Sequence, residues 1–204
     1  MIRLGRVEIT GGCLLLLAWL NYLDRDLLLP MALASCGAHE LGHLAAVRLL
    51  GGDVKQLRLT AVGAELVLDR TLGYWQEGVS ALAGPGVNLL LALTCCGLEK
   101  GAAFAGLNLV LALFNLLPAG RLDGGRALHC TLALLAGPEA ARRAGLWLDG
   151  LCTAGALALG LPLAAAERNI TMLLVSVWLL VIFLRQNIHF LRNKACQRGG
   201  KKVQ

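Results

Sequence analysis

Charge is scarce in this chain: only 16% of its 204 residues are Asp, Glu, Lys or Arg, against 57% hydrophobic residues and a mean hydropathy of +0.66. That balance excludes an ordinary soluble domain and fits a protein that faces lipid. Paired cysteines are lacking as well. Cys13, Cys36, Cys95, Cys96, Cys130, Cys152 and Cys196 are scattered through mostly apolar stretches with no CxxC spacing. This excludes a disulfide or cysteine-zinc framework and leaves them as small buried hydrophobes. The first apolar run has no clear small-residue cleavage site after it, so it reads as an anchor and not as a cleaved signal peptide. The net charge of +6 requires no nucleic acid, because a basic face against anionic lipid accounts for it.

The apolar runs themselves are Gly11–Leu23, Leu27–Leu50, Leu72–Cys96, Ala102–Leu117, Gly145–Ala166 and Ile170–Phe190. Their lengths suggest an all-α polytopic membrane protein with about six transmembrane helices. Six crossings put both termini on one side. The tail after Phe190 carries Arg192, Lys194, Arg198, Lys201 and Lys202, which makes that side cytoplasmic. In this orientation only Arg25, Lys100 and Arg168 lie outside, and the remaining basic residues obey the positive-inside rule. Between the second and third runs, residues 54–69 are too polar to span. Leu57, Leu59 and Ala61 alternate with Arg58 and Thr60, and Glu65 and Asp69 alternate with Ala64, Leu66 and Leu68. The pattern predicts a small β-hairpin on the cytoplasmic side, either a plain connector or an exposed edge that receives an extended peptide.

One pentapeptide inside the second run carries chemistry. His39, Glu40, Leu41, Gly42 and His43 form an HExxH pattern. At about 3.6 residues per turn, residues four apart share a helix face, so the imidazoles of His39 and His43 can meet on one metal ion. Glu40 projects about 100° away, toward the open side of that metal. Zinc lowers the pKa of bound water to about 7, and an adjacent carboxylate can take the proton during attack on a carbonyl. In a soluble helix the pattern would be weak evidence. Here the only ionisable groups from Leu27 up to Arg48 are those of the motif, and such groups at membrane depth are costly unless coordinated, which marks them as functional. Cys36, one turn before His39, is read as packing.

A catalytic zinc takes a third protein ligand. Asp123 is the strongest candidate, because the apolar run ending at Leu117 breaks into Pro118-Ala119-Gly120 and can turn a carboxylate back inward. His129 is a rival. Glu65 and Glu77 fit less well, one on the hairpin and the other near the start of a span.

At these residues the chain resembles the site-2 protease family of intramembrane zinc metalloproteases. HELGH at 39–43, Gly84-Pro85-Gly86-Val87-Asn88 and the NLLPAGRLDGG run at 115–125 stand in that family's order. The resemblance implies that His39, His43 and Asp123 bind Zn²⁺, that Glu40 activates water, and that Asn88 and Asn115 hold unwound substrate or bridge helices near the metal. Within the family the chain is most like the branch of stage IV sporulation protein FB. That likeness implies a membrane-associated protein substrate such as a sigma-factor precursor, regulatory membrane proteins as partners, and a place in a bacterial membrane such as that around the forespore. The chain is expected to be a single protease domain over 1–204, with a basic tail at 191–204 and no CBS or PDZ module. Two other readings share the motif: a membrane zinc carrier, which would need further polar groups leading across the bilayer, and a catalytically inert metal-binding relative.

Overall fold

The computed structural model describes residues 2–4, 7–10, 28–60, 63–69, 71–98, 101–119 and 122–167, together with positions 22, 24, 177, 180 and 181. The expected first and sixth spans and the basic tail fall almost wholly outside these residues. Two short strands, β1 (Ile2–Leu4) and β2 (Val7–Ile9), precede helix α1 (Leu28–Leu49). Strands β3 (Val54–Thr60) and β4 (Gly63–Leu68) follow, and then α2 (Tyr74–Cys95), α3 (Ala102–Asn115), α4 (Asp123–Ala136) and α5 (Pro138–Glu167).

Four of the helix ends have a local cause. The carboxylate of Asp24 accepts from the Leu28 and Leu29 N–H groups at 3.0 and 2.9 Å, satisfying two donors that the first turn of α1 leaves open. At α2 the Gln76 side chain works in both directions. Its oxygen accepts from Gly73 N–H at 3.0 Å, and its amide donates to the Leu50 carbonyl at 3.0 Å, pinning the start of α2 to the end of α1. Helix α4 stops at Gly137, whose φ of +86° suits glycine. Pro138 then opens α5, where its missing N–H costs nothing.

The strands β3 and β4 pair antiparallel, with Thr60 opposite Gly63 and Val54 opposite Leu68. The sheet is larger than a hairpin. Its order is β1-β2-β3-β4, with β2 parallel to β3 and β4 at one edge. Glu8, 1% exposed, fixes that parallel pairing by accepting from Gln56 Nε2 at 2.7 Å and Arg58 Nε at 3.1 Å. A second departure from expectation is α4, which occupies a stretch assigned to no span, and α5 begins before residue 145. Among the described residues one helix, Tyr74–Cys95, is both long and apolar enough to cross a membrane, and α3 is apolar but shorter. The His39, Glu40, His43 and Arg48 side chains dilute the hydropathy of α1, although its length matches the expected second span.

The packing is inside out relative to a water-soluble bundle. Leu41, Leu90, Leu93, Val110, Leu113, Leu134, Leu135, Trp147 and Leu151 point outward, whereas the interior holds Ala81, Ala92, Ala105, Ala112 and Ala133 beside Ser35, Ser80, Asn88 and Asn108. Small residues let backbones approach, polar residues bond across helices, and large apolar side chains meet lipid tails. An outward surface this apolar belongs in a bilayer. At the centre, α2 contacts α1, α3 and α4, α1 also touches α3, and α4 packs on α5.

This packing makes a stability prediction. Ala112 is fully buried, so Ala112→Leu should overpack the α3 interface and cost about 1–3 kcal/mol. Leu135→Ala, at an 80% exposed position, should change stability by less than about 0.5 kcal/mol. Thermal unfolding of the detergent-solubilised protein measures both.

Candidate metal centre

Two stripes of side chains face each other across the α1–α2 contact. On α1, Ser35, His39 and His43 recur every four residues, and on α2 Ser80, Gly84, Asn88 and Ala92 do the same, all buried. The crossing is close because glycine sits on both sides. A Cβ on Gly42 would stand 2.9 Å from the Ala83 carbonyl oxygen. A Cβ on Gly84 would run into His43 Nε2 and lie 2.9 Å from His39 Cε1. Gly84 therefore leaves the space in which the two imidazoles converge.

Asp123 reaches the same point from another helix. Ala119 and Leu122 are buried against Phe114 of α3 and against Cys152 and Ala156 of α5, which anchors the irregular segment between α3 and α4. Asp123 opens α4 immediately afterwards. A Cβ on Gly124 would collide with the Leu116 carbonyl and come within 2.8 Å of the Leu117 oxygen, so glycine there allows the start of α4 to lie against the end of α3. The carboxylate is thereby directed at the histidines.

The resulting triangle is nearly equilateral. His39 Nε2 and His43 Nε2 are 3.1 Å apart, and Asp123 Oδ2 lies 3.1 Å from the first and 3.2 Å from the second. Ligand atoms held about 2.0–2.1 Å from a tetrahedral zinc sit about 3.3 Å from one another. The hydrogen bonds on the far side of each ring decide what these atoms are. His43 Nδ1 is 2.7 Å from the Ser80 carbonyl oxygen, which can only accept, so Nδ1 carries the proton. His39 Nδ1 is 2.6 Å from Asn88 Oδ1, also an acceptor. Neutral rings with Nδ1–H present bare lone pairs at Nε2. Two lone pairs and a carboxylate oxygen then face one another within 3.2 Å, an arrangement that calls for a cation between them. These three residues form a group able to hold a metal ion, and the donor set fits zinc.

Glu40 is half-buried beside this group and close enough to His39, His43, Asp123 and Arg126 to interact with each electrostatically. Arg126 stands 3.6 Å from Asp123 Oδ1, the oxygen turned away from the histidines, and 3.7 Å from Glu77 on α2. The rival ligand His129 lies outside the triangle, on a different face of α4 from Asp123, with its ring 6.4 Å from that of Tyr74. Glu77 sits in the first turn of α2 facing Arg126, and Glu65 lies on β4 in register with Arg58. Asn88 is fully buried with its amide engaged by His39, Ser35 and Asn108. Asn115 is half-buried and donates to the Leu111 carbonyl of its own helix at 3.0 Å. Sequence reasoning did not single out Ser35, Ser80 or Asn108. A usable signal was their spacing, since Ser35 and Ser80 stand one turn before His39 and Gly84, and Asn108 is an amide inside an apolar run.

No family model matches the chain. A protein of Synechocystis sp. whose name assigns it to the zinc metalloproteases is 36% identical over 144 residues, covering 65% of this chain and 36% of that protein. One of Mycobacterium tuberculosis with the same assignment is 35% identical over 117 residues, covering 50% and 30%. The chain thus spans about a third of the length of these curated relatives. A solved site-2 protease from Methanocaldococcus jannaschii superposes with a TM-score of 0.66 over 88% of this chain and 90% of that one, at 22% identity. The fold is that of a site-2 protease, and the sequence relatives are named as zinc metalloproteases.

Gly84 gives the most direct test of the site. Gly84→Ala would place a methyl group against both imidazoles, so zinc affinity should fall on the order of 10–100-fold or more, measured by chelator competition. Thr94→Ala, which removes only exposed bonds to the Leu90 and Leu91 carbonyls of its own helix, should bind as tightly as the parent.

Proposed function

We propose that the chain is an intramembrane zinc endopeptidase of the site-2 protease type, hydrolysing a peptide bond of a membrane-associated protein near the cytoplasmic face. The observation that carries this reading is the triangle of bare donor atoms from His39, His43 and Asp123 with Glu40 beside it. Zinc held there supplies a Lewis acid for the scissile carbonyl and makes water a better nucleophile. The Glu40 carboxylate takes the proton of the attacking water as the new C–O bond forms, and returns it to the leaving amine as the C–N bond then breaks. Burial of the site keeps competing water away and strengthens these electrostatic effects.

A substrate carbonyl must be free of helical hydrogen bonds before it can react. The edge strand β4 is suited to receive such an unwound segment by adding it to the sheet, and Asn115 at the end of α3 is the candidate for substrate contact. The positive-inside pattern supports a multi-pass arrangement of about six crossings with both termini cytoplasmic. Within that frame a sigma-factor precursor is the first substrate to try, and regulatory membrane proteins and a forespore membrane are the setting it would imply.

Purified protein reconstituted with a sigma-factor precursor, and separately with labelled casein, tests the reading. Glu40→Gln should lower cleavage by about 10²–10⁴-fold while keeping near one zinc per chain, and Asp123→Ala should lose both. Cleavage by Glu40→Gln at the parent rate would rule out Glu40 as the base.

A further inference from the structure

The bonds around Asn88 continue away from the metal centre into α3, and their polarity can be read without ambiguity from the backbone inward. The Met31 carbonyl can only accept, so the Ser35 hydroxyl, 2.9 Å away, donates to it. That leaves the Ser35 oxygen as an acceptor toward Asn108, whose Nδ2 lies 2.9 Å from it and 2.9 Å from the Phe104 carbonyl. With its amide nitrogen so placed, Asn108 turns Oδ1 toward Asn88. Asn88 Nδ2 donates to that oxygen at 2.6 Å and to the Ser35 carbonyl at 3.2 Å, which fixes Asn88 Oδ1 on His39 Nδ1. Both amides are 0% exposed and Ser35 is 1% exposed, so water does not compete at any point.

We infer that Asn108, supported by Ser35, is a positioning residue for the metal centre: through Asn88 it sets the Nδ1–H tautomer and the orientation of His39. The inference rests on His39 being a metal ligand. A Met31–Ser35–Asn108–Asn88–His39 relay joins three helices and runs in one direction, because reversing either amide would set two acceptors or two donors face to face. Leucine at 108 could fill similar volume and glue α3 to α2, yet it could not specify which nitrogen of His39 carries the proton. His43 needs no such relay, since a backbone carbonyl holds its Nδ1 directly.

The test uses the detergent-purified full chain with zinc as the probe. Asn108→Ala and Ser35→Ala are compared with the parent and with Thr131→Ala, which removes a bond to the Ala127 carbonyl on α4. Zinc affinity by chelator competition, thermal stability, and the ¹⁵N shifts of the His39 ring in metal-free protein are read on each. Asn108→Ala should weaken zinc binding about 10-fold or more and give a mixed tautomer signal at His39, Ser35→Ala should shift both in the same direction by less, and Thr131→Ala should move neither. Combining Asn108→Ala with Asn88→Ala should weaken binding no further than Asn88→Ala alone, as residues in series require. Lower thermal stability in Asn108→Ala with parental zinc affinity and a parental His39 tautomer would overturn the inference and leave Asn108 as interhelical packing. If the parent binds no zinc, the metal reading fails, and the His39 tautomer in Asn108→Ala and in Ser35→Ala, the smaller change, still decides the relay.

Discussion

The structure is organised around an electrostatic conflict: two imidazole nitrogens with free lone pairs and a carboxylate oxygen are held within 3.2 Å of one another. Three acceptors at that spacing repel without a positive charge between them, and a buried group with no partner is costly. The surrounding chain enforces the conflict. The Ser80 carbonyl and Asn88 fix the rings from behind, Gly84 clears the space they occupy, and Gly124 allows α4 to deliver Asp123. A cation resolves the repulsion, so features that would weaken a metal-free protein become sources of affinity once the site is filled.

The inside-out packing follows from the same constraint. Lipid offers no hydrogen bonds, so every polar side chain that the site needs must find its partners within the bundle. The centre of α2 supplies them, since that helix touches α1, α3 and α4. Alanine and glycine along these contacts bring the backbones near enough for short amide bonds such as Asn88 to Asn108 at 2.6 Å, while the bulky side chains turn outward. Apolar packing in a membrane is weakly directional, and hydrogen bonds between amides restore direction.

His39, Glu40 and His43 were legible in the sequence because their relation is local, set by the pitch of one helix. Asp123 was legible for a different reason: the Pro118–Gly120 break marks where an apolar run must turn. Alternation over residues 54–69 pointed to strands there, but not to the register, which includes a shift between Val54 and Gln56. The N-terminal strands could not be read, because three-residue strands carry no period of their own: β1 is held by β2, and β2 by β3, some fifty residues away. Helix α4 was obscured by the glycines and arginine of its first turn, which interrupt the apolar pattern, and it is held in place by packing against α2 and α5. The sequence marks Asn88 for substrate contact or helix bridging, yet its bond to His39 depends on a rotation of α2 about its axis that no local pattern displays.

That bond also bears on how the site meets a peptide. Asn88 spends both its nitrogen and its oxygen inside the bundle, so the donor atoms are aimed before any substrate arrives, and little reorganisation is left for the reaction itself. A site set in this way cannot adapt by shifting α1 against α2, because a displacement of one turn would take His43 from the Ser80 carbonyl and His39 from Asn88 together. On the proposed function, adaptation would therefore fall to the substrate, which would give up its helix, and to elements at the edge of the bundle such as β4. Rigid donors at the centre and a free strand edge at the periphery would then be two halves of one arrangement, in which the protein keeps its geometry and the substrate of the proposed reaction changes shape.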